Sequence, residues 1–311
     1  MQLDTIADIA LLVFVLSLLP VYLVFVLTLY LNRKHKPFDS TFFRIVASLS
    51  TTELLLMLWF YTLVNPLRWG FYPASVLEGW GKEFFPVAVI TLVWTCRMGQ
   101  GLAQQLMTIN RVTAVLLPLK HDKLWRPRHT YAALTLQWVV LVLVFVLPQL
   151  LFFGIHVETY PADEVVFQDN FLRYVGLHGV VWNAFYFIAY GAIFWRLWQN
   201  EKKQKKKRSV ASGGVADDRW RVRMCLAGGI IGLFTVTAAA SLFVVSAQGK
   251  RFSRSTHVFV HSAISSLECM STPLVFLAVS KATRRQFLKT LRSLAGRKEG
   301  NDDTIVNATD G

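Results

Sequence analysis

Acidic residues are scarce in this chain and cysteines scarcer. Nineteen Asp and Glu stand against 33 Lys and Arg among 311 residues, and only Cys96, Cys225 and Cys269 carry thiols. All three thiols fall inside long apolar runs, so no extracellular disulfide is suggested. The chain has no His-Glu-x-x-His, no Cys-pair zinc motif, no phosphate-binding glycine loop and no Ser-based nucleophile motif, which removes the usual signatures of metal, nucleotide and acyl-transfer enzymes. Only 17% of residues are charged. The polar surface that an ordinary soluble domain presents to water is missing.

What is present is hydrocarbon. The hydrophobic share is 54% and the mean hydropathy +0.41. Seven runs are long enough to cross about 30 Å of lipid as helices: Ile9 to Leu31, Phe42 to Val64, Phe85 to Ile109, Thr130 to Gly154, Phe171 to Trp195, Cys225 to Ala247 and Val258 to Val279. The expectation is an all-α membrane protein, a seven-transmembrane helix bundle over residues 1–294. Residues 295–311 form a short polar tail, expected to be cytoplasmic and disordered.

Lys and Arg set the orientation, because short basic loops stay in the cytoplasm. Arg33, Lys34 and Lys36, then Lys120, Lys123, Arg126 and Arg128, then the Lys202 to Arg208 cluster, then seven residues from Lys281 to Lys298 all fall on one side. The N-terminus is therefore expected outside and the C-terminus inside. Met1 to Asp8 has no basic residue, so the first run reads as a signal anchor. The one glycosylation sequon, Asn307-Ala308-Thr309, then lies out of reach of the luminal machinery. The net charge of +14 is a topology signal first. A basic run beside a membrane helix attracts anionic inner-leaflet lipid, and no nucleic-acid partner is needed to explain it.

Polar residues inside the runs are few and patterned. Glu53 sits halfway through the second run, where an ionisable group normally faces the bundle interior. On the third, Arg97, Gln104 and Arg111 are spaced by sevens and lie near one face, with Gln100 beside them. On the seventh, His257, His261, Ser265, Glu268 and Thr272 follow steps of three and four. Glu53, Arg97, Gln100, Glu268 and Thr272 are candidates for one interior polar network, because each buried charge needs compensation. Arg97, His178, His257 and His261 lie in the outer half and are ligand-pocket candidates. Gly228, Gly229 and Gly232 on the sixth run permit close packing, within the bundle or in a receptor dimer. Helix one has little beyond Pro20 and is expected to supply span and packing. Phe287, Leu288, Leu291 and Leu294 among Lys and Arg predict an amphipathic helix on the inner membrane surface after helix seven.

Arg111 closes the third run, Pro118 follows seven residues later, and Trp138 and Pro148 mark the fourth. These spacings resemble rhodopsin-type seven-helix receptors, whose third helix ends in an acidic-Arg-Tyr triplet; here Asn110 and Val112 flank the Arg. Leu49-x-x-x-Glu53 and Thr272-Pro273-Leu274-Val275-Phe276 are similar to that family's second- and seventh-helix motifs. Pro86 stands near the position of the usual third-helix Cys, and helix six lacks the family's Trp and Pro. Ser40-Thr41-Phe42-Phe43-Arg44-Ile45, with Asn110 to Pro118 and His121-Asp122-Lys123-Leu124-Trp125, most resembles the nematode serpentine chemoreceptors, in particular class gamma. The resemblance implies a G-protein-coupled chemosensory receptor in the plasma membrane, with a sensory cilium as one such location, that binds a small-molecule ligand and a heterotrimeric G protein. It implies coupling through Asn110, Arg111 and Pro118, and no enzyme activity or cofactor. Asn110 cannot form the usual ion pair with Arg111, so the resting state is expected to be held less tightly unless Asp217 or Asp218 supplies the carboxylate.

Two other classes compete. An ion or proton-coupled transporter or channel would use Glu53, Arg97 and Glu268, although no internal repeat is found. A metallohydrolase would use His257 and His261, four apart on one face, with His178. Two His at that spacing are more often a polar pocket lining, so no metal is expected.

Overall fold

The computed structural model describes residues 3–68, 81–147, 181, 184–199, 225–237, 240 and 254–296; among them every regular element is helical and no strand occurs. Helix α1 spans Leu3–Leu31. Asn32 ends it, donating through its side-chain amide to the Thr28 carbonyl at 2.9 Å. Helix α2, Thr41–Trp59, starts after the extended Ser40 and continues through a π turn, Phe60–Val64, into α3, Asn65–Arg68.

The longest helix is α4, Gly81–Leu116, about 54 Å at 1.5 Å per residue. Pro118 stops it. A residue before proline is pushed out of the α region, and Leu117 accordingly sits at φ −127, ψ 52. Pro118 then opens α5, Pro118–Leu124, at its first turn, where its missing N–H costs nothing. Pro127 does the same for α6, Pro127–Val140, which runs into a second π segment, Leu141–Val146. Helices α7 (184–199), α8 (Cys225–Thr237) and α9 (Arg254–Val279) follow.

By length and apolarity, two helices among the described residues qualify to cross a membrane: Ile9–Leu31 and Thr41–Thr62. Helix α4 exceeds both in length, and the polar stripe through its middle lowers its apolarity. Pro273 lies within α9, and at Ser280 the chain turns by 106° into α10, Lys281–Leu294. The Ser280 hydroxyl caps α10, accepting from the Thr283 N–H at 3.1 Å. Phe287 packs back onto the core while Leu288, Leu291 and Leu294 stay exposed.

The core holds the site. Helix α2 lies against α4 along much of its length, and α1 and α9 close over α2. Phe25, Phe42, Phe43 and Phe276 meet at the end that carries the basic loops, with Leu49, Met107 and Ile231 buried beside them. Helix α8 meets α7 through glycine. A Cβ at Gly228 would collide with the Tyr190 hydroxyl, and one at Gly232 would stand 3.3 Å from the Tyr186 ring. The small residues that the sequence offers for close packing are thus occupied by two tyrosines of the same chain.

Candidate functional site

Glu53 is fully buried at the centre of the bundle. Its Oε2 accepts a 2.6 Å hydrogen bond from the Tyr22 hydroxyl of α1. Its Oε1 accepts from Gln100 Nε2 of α4 at 3.1 Å and from Thr272 Oγ1 of α9 at 3.0 Å. Three neutral donors from three helices thus converge on one carboxylate. A buried carboxylate left without donors carries a desolvation cost of several kcal/mol, so each of these bonds matters more here than at a surface.

The second carboxylate has a cation. Arg97 Nη1 pairs with Glu268 Oε2, joining α4 to α9, and the same nitrogen donates to Gln100 Oε1 at 3.0 Å. Arg97 therefore does not touch Glu53. The link runs through Gln100, whose amide accepts from the guanidinium and donates to Glu53. The five residues that the sequence nominated for an interior network, Glu53, Arg97, Gln100, Glu268 and Thr272, stand in one connected cluster.

Sequence reasoning missed Tyr22. Helix one was expected to contribute span and packing alone, yet Tyr22 is fully buried and bonded to Glu53. The available signal was a hydroxyl in the middle of an otherwise aliphatic run, which in lipid must find an acceptor. Gln137 was missed too. It is buried and donates to the Gly99 carbonyl at 3.1 Å, while its neighbour Trp138, which marks the fourth helix in the sequence, is 40% exposed.

One helical turn below Gln100, Gln104 is fully buried. Its Oε1 accepts from Thr235 of α8 at 2.8 Å and from the Tyr186 hydroxyl of α7 at 3.4 Å, and its Nε2 has no acceptor. The polar stripe of α4 thus serves α9 and α2 with its upper residues and α7 and α8 with its middle one.

At the foot of the stripe, Arg111 is 8% exposed and its guanidinium carbon stands 3.3 Å from the centre of the Phe42 ring. This is a cation–π contact with an aromatic from the start of α2. Arg111 Nε, Asn110 Nδ2 and the Tyr190 hydroxyl are all buried and all without a hydrogen-bond partner. Among the described residues no carboxylate stands within ion-pair distance of Arg111. Nearby, Trp125 Nε1 donates to Thr113 Oγ1 at 2.7 Å, and the Trp125 carbonyl accepts from Thr41 Oγ1 at 2.9 Å. The first bond ties the segment after α4 back to α4 itself, and the second ties it to the start of α2. Pro118 lies exposed just beyond.

Other nominated positions lie elsewhere. His257 and His261 belong to the backbone of α9, and their side chains lie outside the described residues, as do His178, Asp217, Asp218, Pro148 and the Lys202 to Arg208 cluster. Among the described residues no group of three His, Cys, Asp or Glu gathers at metal-binding distance.

A family model described as serpentine type 7TM GPCR chemoreceptor Srv matches residues 11–293. Serpentine receptor class V-1 of Caenorhabditis elegans is 26% identical over 303 residues, which cover 93% of this chain and 92% of that protein. The class expected from the sequence is thereby corrected: gamma gives way to class V, while the nematode serpentine superfamily stands. The short motifs around Phe42 and Arg111 report the spacing of a receptor core, and the class is carried by similarity along the whole length. The chain belongs to the Srv family of serpentine seven-transmembrane chemoreceptors.

Proposed function

We propose that this protein is a chemosensory receptor that binds a small molecule from outside the cell and passes the signal to a heterotrimeric G protein at its basic face. The observation that carries this reading is the state of Arg111. A buried guanidinium faces an aromatic ring, its Nε and the adjacent Asn110 amide lack acceptors, and no carboxylate among the described residues holds it. Unmatched donors at the end of a helix suit an incoming segment rich in carbonyls and carboxylates, such as the tail of a G-protein subunit.

In this reading the N-terminus is outside, the C-terminal tail is cytoplasmic, and the receptor resides in the plasma membrane, in a sensory cilium where its cell has one. Arg97, His178, His257 and His261 line the ligand pocket, and the Arg97–Glu268 pair couples what happens there to α4 and α9. The protein is not an enzyme and uses no cofactor. A screen of small acidic and hydrogen-bond-accepting compounds on cells expressing the receptor with a promiscuous G protein tests the proposal. A dose-dependent response absent from cells without the receptor supports it.

The connected polar chain from Glu53 through Gln100 and Arg97 to Glu268, with three ionisable groups joined by one amide, favours a second reading, an ion or proton path. Ion flux in cells lacking G proteins separates the two: a transporter conducts there and a receptor does not.

A further inference from the structure

A groove of about 690 Å³ opens on the side of the bundle between α1, α2 and α6. Three cations stand at one of its ends: Arg33 and Lys34, just past α1, and Arg44, one turn into α2. Arg44 is held in place, its guanidinium carbon 5.4 Å from the centre of the Tyr131 ring of α6. Arg33 and Lys34 are exposed. No acidic residue lines the groove, and among the described residues none of the three cations has a carboxylate partner.

Away from the cations the lining changes character. Along α2 it passes from Arg44 to Ala47, Ser48 and Thr51, and along α6 from Tyr131 to Leu134 and Trp138, in each case seven residues or about 10 Å deeper. Leu29 completes the apolar wall. The surroundings are apolar and outward-facing: Leu27 and Leu31 on α1 and Leu136 and Val139 on α6 are exposed. The Thr51 hydroxyl in this wall is bonded to that of Tyr30 at 3.1 Å. The groove therefore opens toward hydrocarbon, with a cationic mouth at one end and an uncharged, mostly apolar channel running into the membrane.

We propose that this groove is a binding site for an anionic glycerophospholipid. The headgroup phosphate sits among Arg33, Lys34 and Arg44, and one acyl chain lies along Ala47, Leu134 and Trp138. Charge selects the occupant: a zwitterionic or uncharged lipid fills the channel but leaves three cations uncompensated at its mouth. The leaflet rests on the orientation proposed above, since these cations belong to the basic face; the charge of the lipid does not depend on it.

The test uses the full-length receptor purified in a neutral detergent, with native mass spectrometry counting retained lipids after addition of phosphatidylserine or phosphatidylcholine. The wild type is expected to retain phosphatidylserine at least about tenfold better, given the attraction of each added cation. The triple change Arg33→Gln, Lys34→Gln and Arg44→Gln abolishes the preference. Removing three exposed cations elsewhere, Lys281→Gln, Arg285→Gln and Arg292→Gln on α10, leaves it intact. Should the triple variant fail to fold, Ser48→Phe decides, because its ring fills the channel with the cations untouched and is expected to eject the lipid. Equal retention of both lipids, a preference that survives in the triple variant or in Ser48→Phe, or one lost equally on α10 overturns the proposal. Displacement of the lipid by millimolar inorganic phosphate overturns it as well, since a bare anion site has no use for the channel. No G protein is present, so the outcome is independent of whether the receptor signals.

Discussion

The hydroxyl of Tyr22 and the carboxylate of Glu53 meet at 2.6 Å between α1 and α2, with Gln100 and Thr272 completing the shell around the same carboxylate. Losing one donor differs from losing the acceptor. Tyr22→Phe removes a single bond and keeps the ring, so it should cost about 1 kcal/mol of stability, in line with interhelical hydrogen bonds in lipid. Glu53→Leu strands three donors and should cost more than Tyr22→Phe and Thr272→Val taken singly. Thermal unfolding of detergent-solubilised receptor, followed by size-exclusion fluorescence, measures both; a Glu53→Leu variant as stable as Tyr22→Phe would contradict the convergence of the three donors.

Among the described residues Arg97 and Glu268 form the one ion pair of the interior, and both are nearly buried, at 11% and 2% side-chain exposure. Removing one partner leaves a buried charge alone, which is costly; removing both is milder. Surface levels of folded receptor should therefore fall sharply for Arg97→Gln and for Glu268→Gln, and recover in part in the double variant. Additive losses in that cycle would show that the two side chains act independently.

Close packing of α8 on α7 gives a third prediction. A methyl at Gly228 would collide with the Tyr190 hydroxyl oxygen, whereas the ring carbon behind it stands at 3.4 Å, an ordinary contact. Gly228→Ala should lower the unfolding temperature, and Tyr190→Phe added to it should restore most of the loss. Gly191→Ala, where nothing stands within 4 Å, should be neutral. Failure of Tyr190→Phe to rescue Gly228→Ala would mean that the helices are held apart by something other than that hydroxyl.

Much of this architecture was legible in the chain because lipid punishes exceptions. Glu53, Arg97 and Glu268 stand out of apolar runs, and the need of buried charges for partners, with the resemblance to a bundle in which helices two, three and seven adjoin, was what nominated them for one network. Residues that are amphipathic were harder to read. Tyr22 resembles its aliphatic neighbours until its hydroxyl is placed beside a carboxylate, and Gln137 hides next to the more conspicuous Trp138. Partner choice was not legible either: the sequence put Arg97 with both acids, and only the geometry shows Gln100 standing between Arg97 and Glu53. The class within the superfamily required similarity along the whole chain, which no short motif contains.

In the proposed function, signalling passes through the foot of α4 at Arg111. Its guanidinium rests on Phe42 at 3.3 Å with Nε unmatched. Arg111→Leu keeps the helix apolar and easily inserted while removing the donor fork that Arg alone provides. The decisive measurement is ligand-evoked G-protein activation by Arg111→Leu beside wild type, at matched surface expression. Surface delivery and ligand binding should be normal and activation reduced at least about tenfold, the effect of losing charge-assisted hydrogen bonds worth more than about 1.4 kcal/mol. Wild-type activation by Arg111→Leu would contradict this route.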